Sequence, residues 1–352
     1  MRIEQLTFTR FIAAIAIVIF HYGNGSFLFN NTLVSFIFKQ ASIGVSYFFI
    51  LSGFVMIIAY YNNTTINFLT YLKNRFARVY PVYFLAILLT LVIYMFKDIT
   101  LIDLFLNIIM LQAWIPGKAL TINFPGWSLS IELFFYIAFP ILFNYLYKNG
   151  YKKSIAYSIL FIWLLSQFIF HLLVRNSSFI VSPFSKSYVY YSPLLHFNEF
   201  LIGNLAGLFF LNKLKMKTGN YSIYIILLII VLILFLKFPF GLEYHNGFLS
   251  IVFVPLIILI SLNRGKLNDI LNRKLFIFLG EISFGIYILQ RPVWKLISAQ
   301  ALEKYLGLDK VADFTLIFFI RFFILILIST LSYIYFETPV RNKIKKIQLL
   351  NS

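Results

Sequence analysis

Two polar residues in the first apolar stretch of the chain are the first candidates for chemistry, because ionisable groups inside a membrane span are costly and usually functional. Arg10 and His21 lie eleven residues apart, so a helix places them on one face, separated by roughly 16 Å. An imidazole can act as a base or as a transient acyl carrier. A plainer interpretation, in which Arg10 extends to the interface and His21 makes a packing contact, is equally open from these residues alone.

A second group, Lys73, Arg75 and Arg78, precedes Pro81 in a loop that leads into an apolar run. Because Arg75 and Arg78 are three residues apart, a helix presents their guanidinium groups side by side, as a clamp suited to phosphate. Basic residues in a cytoplasmic loop also serve membrane topology without binding any ligand. The pattern therefore predicts a phosphate site or a topology signal.

A third group follows the pair Pro125-Gly126, which is typical of the start of a helix. Ser128 or Ser130 can cap that helix, and capping explains both serines. It does not explain Glu132, which lies about one turn inside the membrane. A carboxylate there needs a partner such as His21, an arginine or a hydroxyl group, so Glu132 is a functional candidate.

Three further patterns are weaker. His196 and Glu199 are three residues apart and can face one another on a helix. The Gly-x-x-x-Gly pair at 203 and 207 is typical of a helix-packing face. Glu337 is interpreted as an exposed residue at the end of the last span.

The composition of the chain indicates which class of protein contains these residues. The chain has 352 residues, of which 61% are hydrophobic, 20% aromatic and 12% charged, and its mean hydropathy is +0.87. Such a chain is a polytopic membrane protein, and a soluble enzyme is excluded. The absence of cysteine excludes thiolate nucleophiles and thiolate metal sites, and no metal is expected. The net charge of +18 lies in short loops between apolar runs, which indicates membrane topology and anionic ligands rather than nucleic acid.

At about 20 residues per crossing, the sequence predicts an all-α fold of ten membrane spans. They cover about 7–26, 42–61, 79–96, 127–147, 154–174, 193–212, 221–237, 247–262, 275–294 and 314–336. Between spans three and four, the stretch from Asp98 to Trp114 predicts an interfacial helix followed by a re-entrant loop.

The distribution of basic residues predicts the orientation. Eighteen lysines and arginines fall in one set of alternate loops and nine in the other, so both termini are expected in the cytoplasm and the number of spans should be even. The ten spans use nearly the whole chain. A single domain over 1–352, with no fused soluble domain, is therefore expected.

These residues, in this order, resemble the integral-membrane acyltransferase-3 family, whose bacterial members acylate cell-surface glycans. The resemblance covers essentially the whole chain and rests on LTFTRFIAA at 6–14 with His21, FILSGF at 49–54, RFARVYP at 75–81, WSLSIE at 127–132, EFLIG at 199–203, GEISFGIY at 280–287 and FETP at 336–339. The chain departs from the family at Gln290, where a histidine is usual.

The resemblance implies a ten-helix enzyme of the bacterial inner membrane. It would move an acyl group, commonly acetyl, from cytoplasmic coenzyme A to a hydroxyl of a surface or lipid-linked glycan. The implied roles are catalysis by His21, Arg10 and Glu132, coenzyme A binding by Lys73, Arg75 and Arg78, and substrate contacts by Trp127, Ser128, Ser130 and Glu199.

Two alternatives are weighed against this function. A transporter of an anionic metabolite or a lipid-linked sugar would also line its path with polar residues, but no inverted repeat is visible. A catalytically inactive family member, suggested by Gln290, is disfavoured because the other motif residues are intact. Direct transfer and transfer through an acyl-histidine are both open.

Overall fold

The computed structural model describes residues 3–95, 99–175 and 183–347, and within these ranges the chain forms helices and no β-strand. The helices of its first half are α1 (Gln5–Tyr22), α2 (Phe27–Asn30), α3 (Ser35–Lys39), α4 (Ile43–Tyr60), α5 (Phe68–Tyr94), α6 (Leu101–Ile108), α7 (Trp127–Leu142) and α8 (Lys153–Arg175). Those of its second half are α9 (Pro183–Tyr191), α10 (Pro193–Phe209), α11 (Ser222–Lys237), α12 (Ser250–Leu262), α13 (Lys266–Leu271), α14 (Lys274–Leu296), α15 (Ala299–Leu306), α16 (Phe314–Ser332) and α17 (Thr338–Lys346).

Within the described residues, eight helical segments are long and apolar enough to cross a membrane. They are α1, α4, α5, α8, α14 and three composite segments, Phe124–Tyr147, Ser187–Leu214 and Phe314–Lys346. The predicted spans at 221–237 and 247–262 correspond to shorter helices, α11 with 16 residues and α12 with 13. The all-helical membrane fold is therefore confirmed, whereas the count of ten spans stays a prediction.

The predicted interfacial segment begins at Asp98, which lies outside the described residues. From Thr100 onward, the side chains of Thr100 and Asp103 cap α6 reciprocally, and this short helix exposes Leu101 and Phe105. A loop with two 3-10 turns, Gln112–Trp114 and Phe124–Gly126, then leads to α7. The helix agrees with the amphipathic pattern, and the re-entrant character of the loop stays a prediction.

Small residues allow the central helices to approach closely. A Cβ atom on Gly203 of α10 would lie 2.1 Å from the carbonyl oxygen of Ile50 on α4, and one on Gly53 would lie 2.3 Å from the carbonyl oxygen of Phe200. No side chain fits at those distances, so the two backbones pack directly. The interpretation of the Gly-x-x-x-Gly pair as a packing face is confirmed.

Helices α1 and α14 meet in the same way. A Cβ atom on Gly280 would lie 2.1 Å from the carbonyl oxygen of Thr7. This contact joins the beginnings of the two helices, which pack along their lengths. The later turns, with His21 on α1 and Gln290 on α14, consequently come together as well.

Candidate active site

A cavity of about 370 Å³ lies between α1, α4, α5, α7, α14 and α17. Four arginines line it, and they come from three helices: Arg10, Arg75, Arg78 and Arg341. We call this space the arginine cavity. Its walls also include Glu132, Glu281 and Glu337, so part of its positive charge is balanced by carboxylates.

Arg75 is held in place by aromatic rings. Its guanidinium carbon lies 5.5 Å from the ring centre of Tyr60 and 5.3 Å from that of Tyr71, and Nη2 donates a hydrogen bond to the Tyr60 hydroxyl at 3.3 Å. The Nε atom is buried without a hydrogen-bond partner. Arg78, one turn later, exposes its side chain. The predicted pair therefore presents guanidinium groups to one cavity, as its spacing indicated.

Lys73 points elsewhere. Its Nζ atom donates hydrogen bonds to the carbonyl oxygens of Ile347 at 2.6 Å and Lys345 at 3.3 Å, at the end of α17. The unpaired carbonyl groups of a helix C-terminus attract a cation. Lys73 is not among the residues that line the arginine cavity, so the structure does not join it with Arg75 and Arg78.

Glu132 finds hydroxyl and arginine partners. It accepts hydrogen bonds from the hydroxyls of Tyr136 at 2.5 Å and Ser52 at 3.4 Å. It also attracts Arg10 and Arg78 electrostatically across the cavity. The carboxylate does not contact His21, so the geometry does not support the idea that Glu132 orients the imidazole.

His21 is oriented by Gln290. The Gln290 amide nitrogen donates to the carbonyl oxygen of Tyr287 at 2.6 Å, which leaves the amide oxygen to face Nδ1 of His21 at 2.8 Å. An amide oxygen can only accept, so Nδ1 carries the proton and Nε2 carries the free lone pair. The edge of the Phe124 ring also packs on the imidazole, with ring centres 4.5 Å apart.

The loop before α7 places Phe124 against the imidazole. Asn123, which is buried, donates from Nδ2 to the carbonyl oxygen of Ile288 on α14 at 3.0 Å. Ile122 has a φ of +56°, a left-handed conformation that β-branched residues rarely adopt. Gln112 ties the loop to α7 by donating to the carbonyl oxygen of Gly126 at 2.8 Å. The close backbone geometry beside His21 therefore depends on buried amide side chains.

His21 lies between two spaces rather than in the wall of the arginine cavity. Ser128 and Tyr287 line that cavity, and their hydroxyl groups are 2.9 Å apart. On the other side, Tyr22 and Phe124 line a second pocket, at the opposite end of the bundle. His21 thus contacts the wall of the second pocket directly, through Tyr22 and Phe124, and is joined to the arginine cavity through Gln290 and Tyr287.

The predicted substrate contacts divide in a similar way. Ser128 lines the arginine cavity, whereas Ser130 is fully buried and accepts a hydrogen bond from the backbone amide of Ala113 at 3.3 Å. Trp127 packs its ring against Tyr191. Of these three residues, only Ser128 is placed where a substrate in the cavity would meet it.

The fourth predicted contact, Glu199, belongs to a buried network. Its Oε2 atom pairs with Nδ1 of His196 at 2.7 Å, and Nε2 of His196 lies 3.0 Å from the carbonyl oxygen of Tyr190. His245 also bonds to that carbonyl, at 2.8 Å, and its ring stacks on Trp127. We call these residues the His196 network. The predicted pairing of His196 with Glu199 is confirmed, but neither residue lines the arginine cavity.

Two residues of the site were missed by sequence reasoning. Glu337 is 8% exposed, accepts a hydrogen bond from Ser332 at 3.0 Å and lines the arginine cavity, so its interpretation as an exposed terminal residue is wrong. Arg341 follows it by four residues on the same wall. The FETP motif at 336–339, which contains Glu337, was the sequence feature that could have identified this part of the cavity wall.

The described part of the chain contains no group of three or more His, Cys, Asp or Glu residues that could hold a metal ion.

Comparison with known proteins identifies the family. A family model described as an acyltransferase domain matches residues 3–335. The chain belongs to the acyltransferase-3 family. The resemblance drawn from the motifs is therefore confirmed, and the match covers nearly the whole chain.

Individual relatives agree with the family. Acyltransferase MdmB of Streptomyces mycarofaciens is 30% identical over 165 residues, 44% of this chain and 42% of that protein. A putative acetyltransferase, ORF330 of Acidianus two-tailed virus, is 26% identical over 280 residues, 77% of this chain and 76% of that protein. O-acetyltransferase OatA of Staphylococcus aureus is 23% identical over 373 aligned positions, 95% of this chain and 56% of that protein. The chain thus spans about half the length of MdmB and OatA, and no solved structure matches it significantly.

Proposed function

We propose that this protein is a membrane O-acetyltransferase that moves an acetyl group from cytoplasmic acetyl-CoA to a hydroxyl of a cell-surface or lipid-linked glycan. The names of the relatives OatA and ORF330 support acetyl as the group transferred. The protein would lie in a bacterial inner membrane, with both termini in the cytoplasm. Single cysteines placed at 213–219 in this cysteine-free chain should resist a membrane-impermeant thiol reagent applied outside intact cells. External labelling there would contradict this orientation.

The observation that carries the proposal is that Arg10, Arg75 and Arg78 line one cavity. Tyr287, in the wall of this cavity, accepts a hydrogen bond from Gln290, and Gln290 is the hydrogen-bond partner of His21. Coenzyme A carries several phosphate charges, and guanidinium groups bind phosphate through paired, charge-assisted hydrogen bonds. The exposed side chain of Arg78 and the position of Arg75 in the cavity wall suit such a ligand. The donor would enter by this cavity.

His21 would supply the base. With Nδ1 committed to Gln290, the lone pair on Nε2 accepts the proton of the attacking hydroxyl. The hydroxyl oxygen bonds to the thioester carbon, the carbon–sulfur bond breaks, and the proton passes from Nε2 to the departing thiolate. In the alternative route, Nε2 attacks the thioester carbon and coenzyme A leaves as the thiolate. The hydroxyl then takes the acetyl group from Nε2, and its proton passes to that thiolate. Both routes use the same lone pair.

Arg10 and Glu132 would act on charge. Arg10 lines the cavity on the same helix as His21, where it can attract the donor or the oxyanion that develops on the thioester oxygen. Glu132 balances the arginines, since it attracts both Arg10 and Arg78. Glu132 therefore does not orient His21, because Gln290 does so.

Binding of acetyl-CoA to the purified protein in nanodiscs tests the donor site. Arg78→Ala and Arg75→Ala should each weaken binding by about tenfold or more, because each removes a charge-assisted contact, and lysine should restore only part of it. Lys73→Ala is the matched control on the same helix, since Lys73 bonds to the end of α17 and should leave affinity within about twofold. If the Arg75/Arg78 double variant binds acetyl-CoA as tightly as the wild type, these arginines serve only membrane topology.

The acceptor is tested by mass spectrometry of surface glycans from cells with and without the protein. The wild-type protein should add the mass of an acetyl group to a glycan, and the His21→Gln protein at equal membrane abundance should not. An unchanged glycan mass in both cells would contradict the proposed transfer.

A further inference from the structure

A second pocket, of about 560 Å³, opens at the end of the bundle opposite Arg75. Its position follows from α5, which carries Arg75 near its first turns and ends at Tyr94 in the pocket wall. Three cations line it, Arg291 and Lys295 from α14 and Arg321 from α16. Four aromatic residues line it as well: Tyr22, Tyr94, Phe124 and Trp294. We call it the basic pocket.

Among the described residues, no carboxylate in the wall balances the charges of the basic pocket. The residues that line it within the described chain include no carboxylate, unlike those of the arginine cavity. The cations rest on rings instead: Arg291 lies 5.5 Å from the ring centre of Tyr94, and Arg321 lies 6.0 Å from that of Trp294. The Nε atom of Arg321 is buried without a hydrogen-bond partner. Three cations in a concave site, with no carboxylate among its described lining residues, attract an anion.

The basic pocket also borders the proposed base. Phe124, in its wall, packs edge-on against the imidazole of His21, and Tyr22 is the next residue along α1. Tyr22 in turn stacks on Trp294 with ring centres 4.3 Å apart. A molecule bound here would therefore lie next to His21, on the side opposite the arginine cavity.

We propose that the basic pocket binds the acceptor and selects an acidic glycan, one that carries a carboxylate or a phosphate close to the hydroxyl that is acylated. This inference rests on the proposed function, because only an acyltransferase has an acceptor to bind. Arginine and lysine bind the acidic group, and the aromatic rings provide flat apolar surfaces for the C–H faces of a sugar ring. A neutral glycan would leave the three cations unpaired.

Binding can be measured without any acyl transfer. The purified protein in phosphatidylcholine nanodiscs is titrated with hexagalacturonate, which is acidic, and with maltohexaose, which is neutral, while tryptophan fluorescence is recorded. Trp294 lies in the pocket, so its emission should respond, and Trp294→Phe should remove most of the response. Hexagalacturonate should bind at least about tenfold more tightly than maltohexaose.

Two substitutions assign that difference to the pocket. Arg321→Gln and Lys295→Gln should each weaken hexagalacturonate binding by about five- to tenfold. Lys237→Gln is the matched control, because Lys237 is also exposed, ends a helix and lies 5.5 Å from an aromatic ring, but it does not line the pocket. Exposed Lys295 is the safer variant for folding, since its ammonium group is outside the core. Equal binding of both oligosaccharides, or equal losses in Lys237→Gln and Lys295→Gln, would overturn the proposal.

An anionic lipid headgroup presents the same chemistry as an acidic sugar, so the titration is repeated in nanodiscs that contain phosphatidylglycerol. Unchanged hexagalacturonate affinity supports a glycan site. The opposite result is that the wild-type protein loses its affinity for hexagalacturonate in these nanodiscs, with no further loss in Arg321→Gln. That result would assign the pocket to lipid and overturn the acceptor proposal.

A transfer assay separates this proposal from the proposed function. Acetyl-CoA labelled in its acetyl group is supplied with cell-envelope glycans divided into acidic and neutral fractions by anion exchange. Label should enter the acidic fraction, with a KM for that fraction raised about five- to tenfold in Lys295→Gln and with unchanged acetyl-CoA affinity. Label only in the neutral fraction would overturn the acceptor proposal alone. Label in neither fraction, despite acetyl-CoA binding, would overturn the transfer itself.

Discussion

Two histidine sites in the same bundle differ in how their ring nitrogens are used. In the His196 network both nitrogens of His196 are engaged, one by Glu199 and one by the carbonyl oxygen of Tyr190, and the residue is 1% exposed. His21 commits only Nδ1, to Gln290, and is half-buried between two cavities. A base needs an unshared lone pair within reach of a substrate. Hydrogen bonding and exposure thus distinguish His196, a structural histidine, from His21, a candidate for catalysis.

The two sites also differ in what surrounds them. Gln167, Asn198 and Asn246 pack beside the His196 network and bond to one another, so most polar groups there are paired within the protein, although the buried Oε1 atoms of Glu199 and Gln167 have no hydrogen-bond partner. The arginine cavity, on the approach to His21, exposes Arg78 and leaves Nε of Arg75 unpaired. Polar groups that are buried and paired within the protein stabilise a fold, whereas an exposed guanidinium group such as that of Arg78 is available to a ligand.

The largest effect is expected at His21. His21→Gln keeps the bulk and polarity of the side chain but removes the base, so acetyl transfer should fall by about 10²–10⁴-fold while acetyl-CoA binding is retained. His196→Gln is the matched control and should keep transfer per folded molecule within a few-fold. The measurement is labelled acetyl transfer at equal amounts of folded protein. Wild-type turnover of the His21→Gln protein would show that His21 is not the base and that it does not differ in function from His196.

The next effect tests the residue that orients His21. Gln290→Leu removes the acceptor of the Nδ1 proton, so the imidazole loses its fixed tautomer and kcat should fall by about 10–100-fold, as for other orienting partners of histidine. KM for acetyl-CoA should change little, because Gln290 does not line the arginine cavity. Gln290→Glu keeps an acceptor oxygen and should recover most of kcat. If Gln290→Leu and Gln290→Glu lose activity equally, Gln290 serves packing alone.

A smaller, purely structural effect is expected at Glu199. Glu199→Ala leaves Nδ1 of fully buried His196 without its partner, so the free energy of unfolding should fall by about 1–3 kcal/mol. The exposed pair of Glu303 and Lys310 provides the control, and Glu303→Ala should cost less than about 1 kcal/mol. Thermal unfolding in detergent, followed by circular dichroism, gives both values. A raised acceptor KM at unchanged stability would instead support the predicted substrate contact at Glu199.

The smallest effect is the pH dependence of His245, which lies in the segment between α11 and α12. Burial, together with the nearby His196, lowers the pKa of His245 to about 3, and a hydrogen bond to the Tyr190 carbonyl opposes the shift. Because the pKa is lower in the folded state than the ordinary 6.5, the neutral ring stabilises the fold fully above pH 6.5. This contribution declines as pH falls from 6.5 toward 3.

Between pH 7 and pH 5 the loss from His245 should amount to about 1–2 kcal/mol. His245→Gln cannot gain a proton, so its thermal midpoint should fall less than that of the wild type over the same interval. Parallel midpoint curves for the two proteins would show that His245 does not titrate on unfolding.

Much of the fold could be predicted from local sequence. Long apolar runs form helices in a membrane because every backbone hydrogen bond must be satisfied within the segment, so α1, α4 and α8 lie close to their predicted bounds. The pairing of Arg75 with Arg78, and of His196 with Glu199, depends on spacing along one helix and was predicted for that reason. Span lengths were predicted less accurately, since α12 has 13 helical residues where a crossing of 16 was predicted.

What the sequence by itself determined was therefore the class of the protein, its helices, its motif residues and, through these, its family. Only the tertiary structure decided which distant groups meet. Gln290 reaches His21 across 269 residues, Glu132 bonds with Ser52 rather than with His21, and Lys73 turns to the end of α17. These contacts depend on how closely whole helices approach. That approach is set by backbone contacts such as Gly280 on Thr7, which no local periodicity specifies.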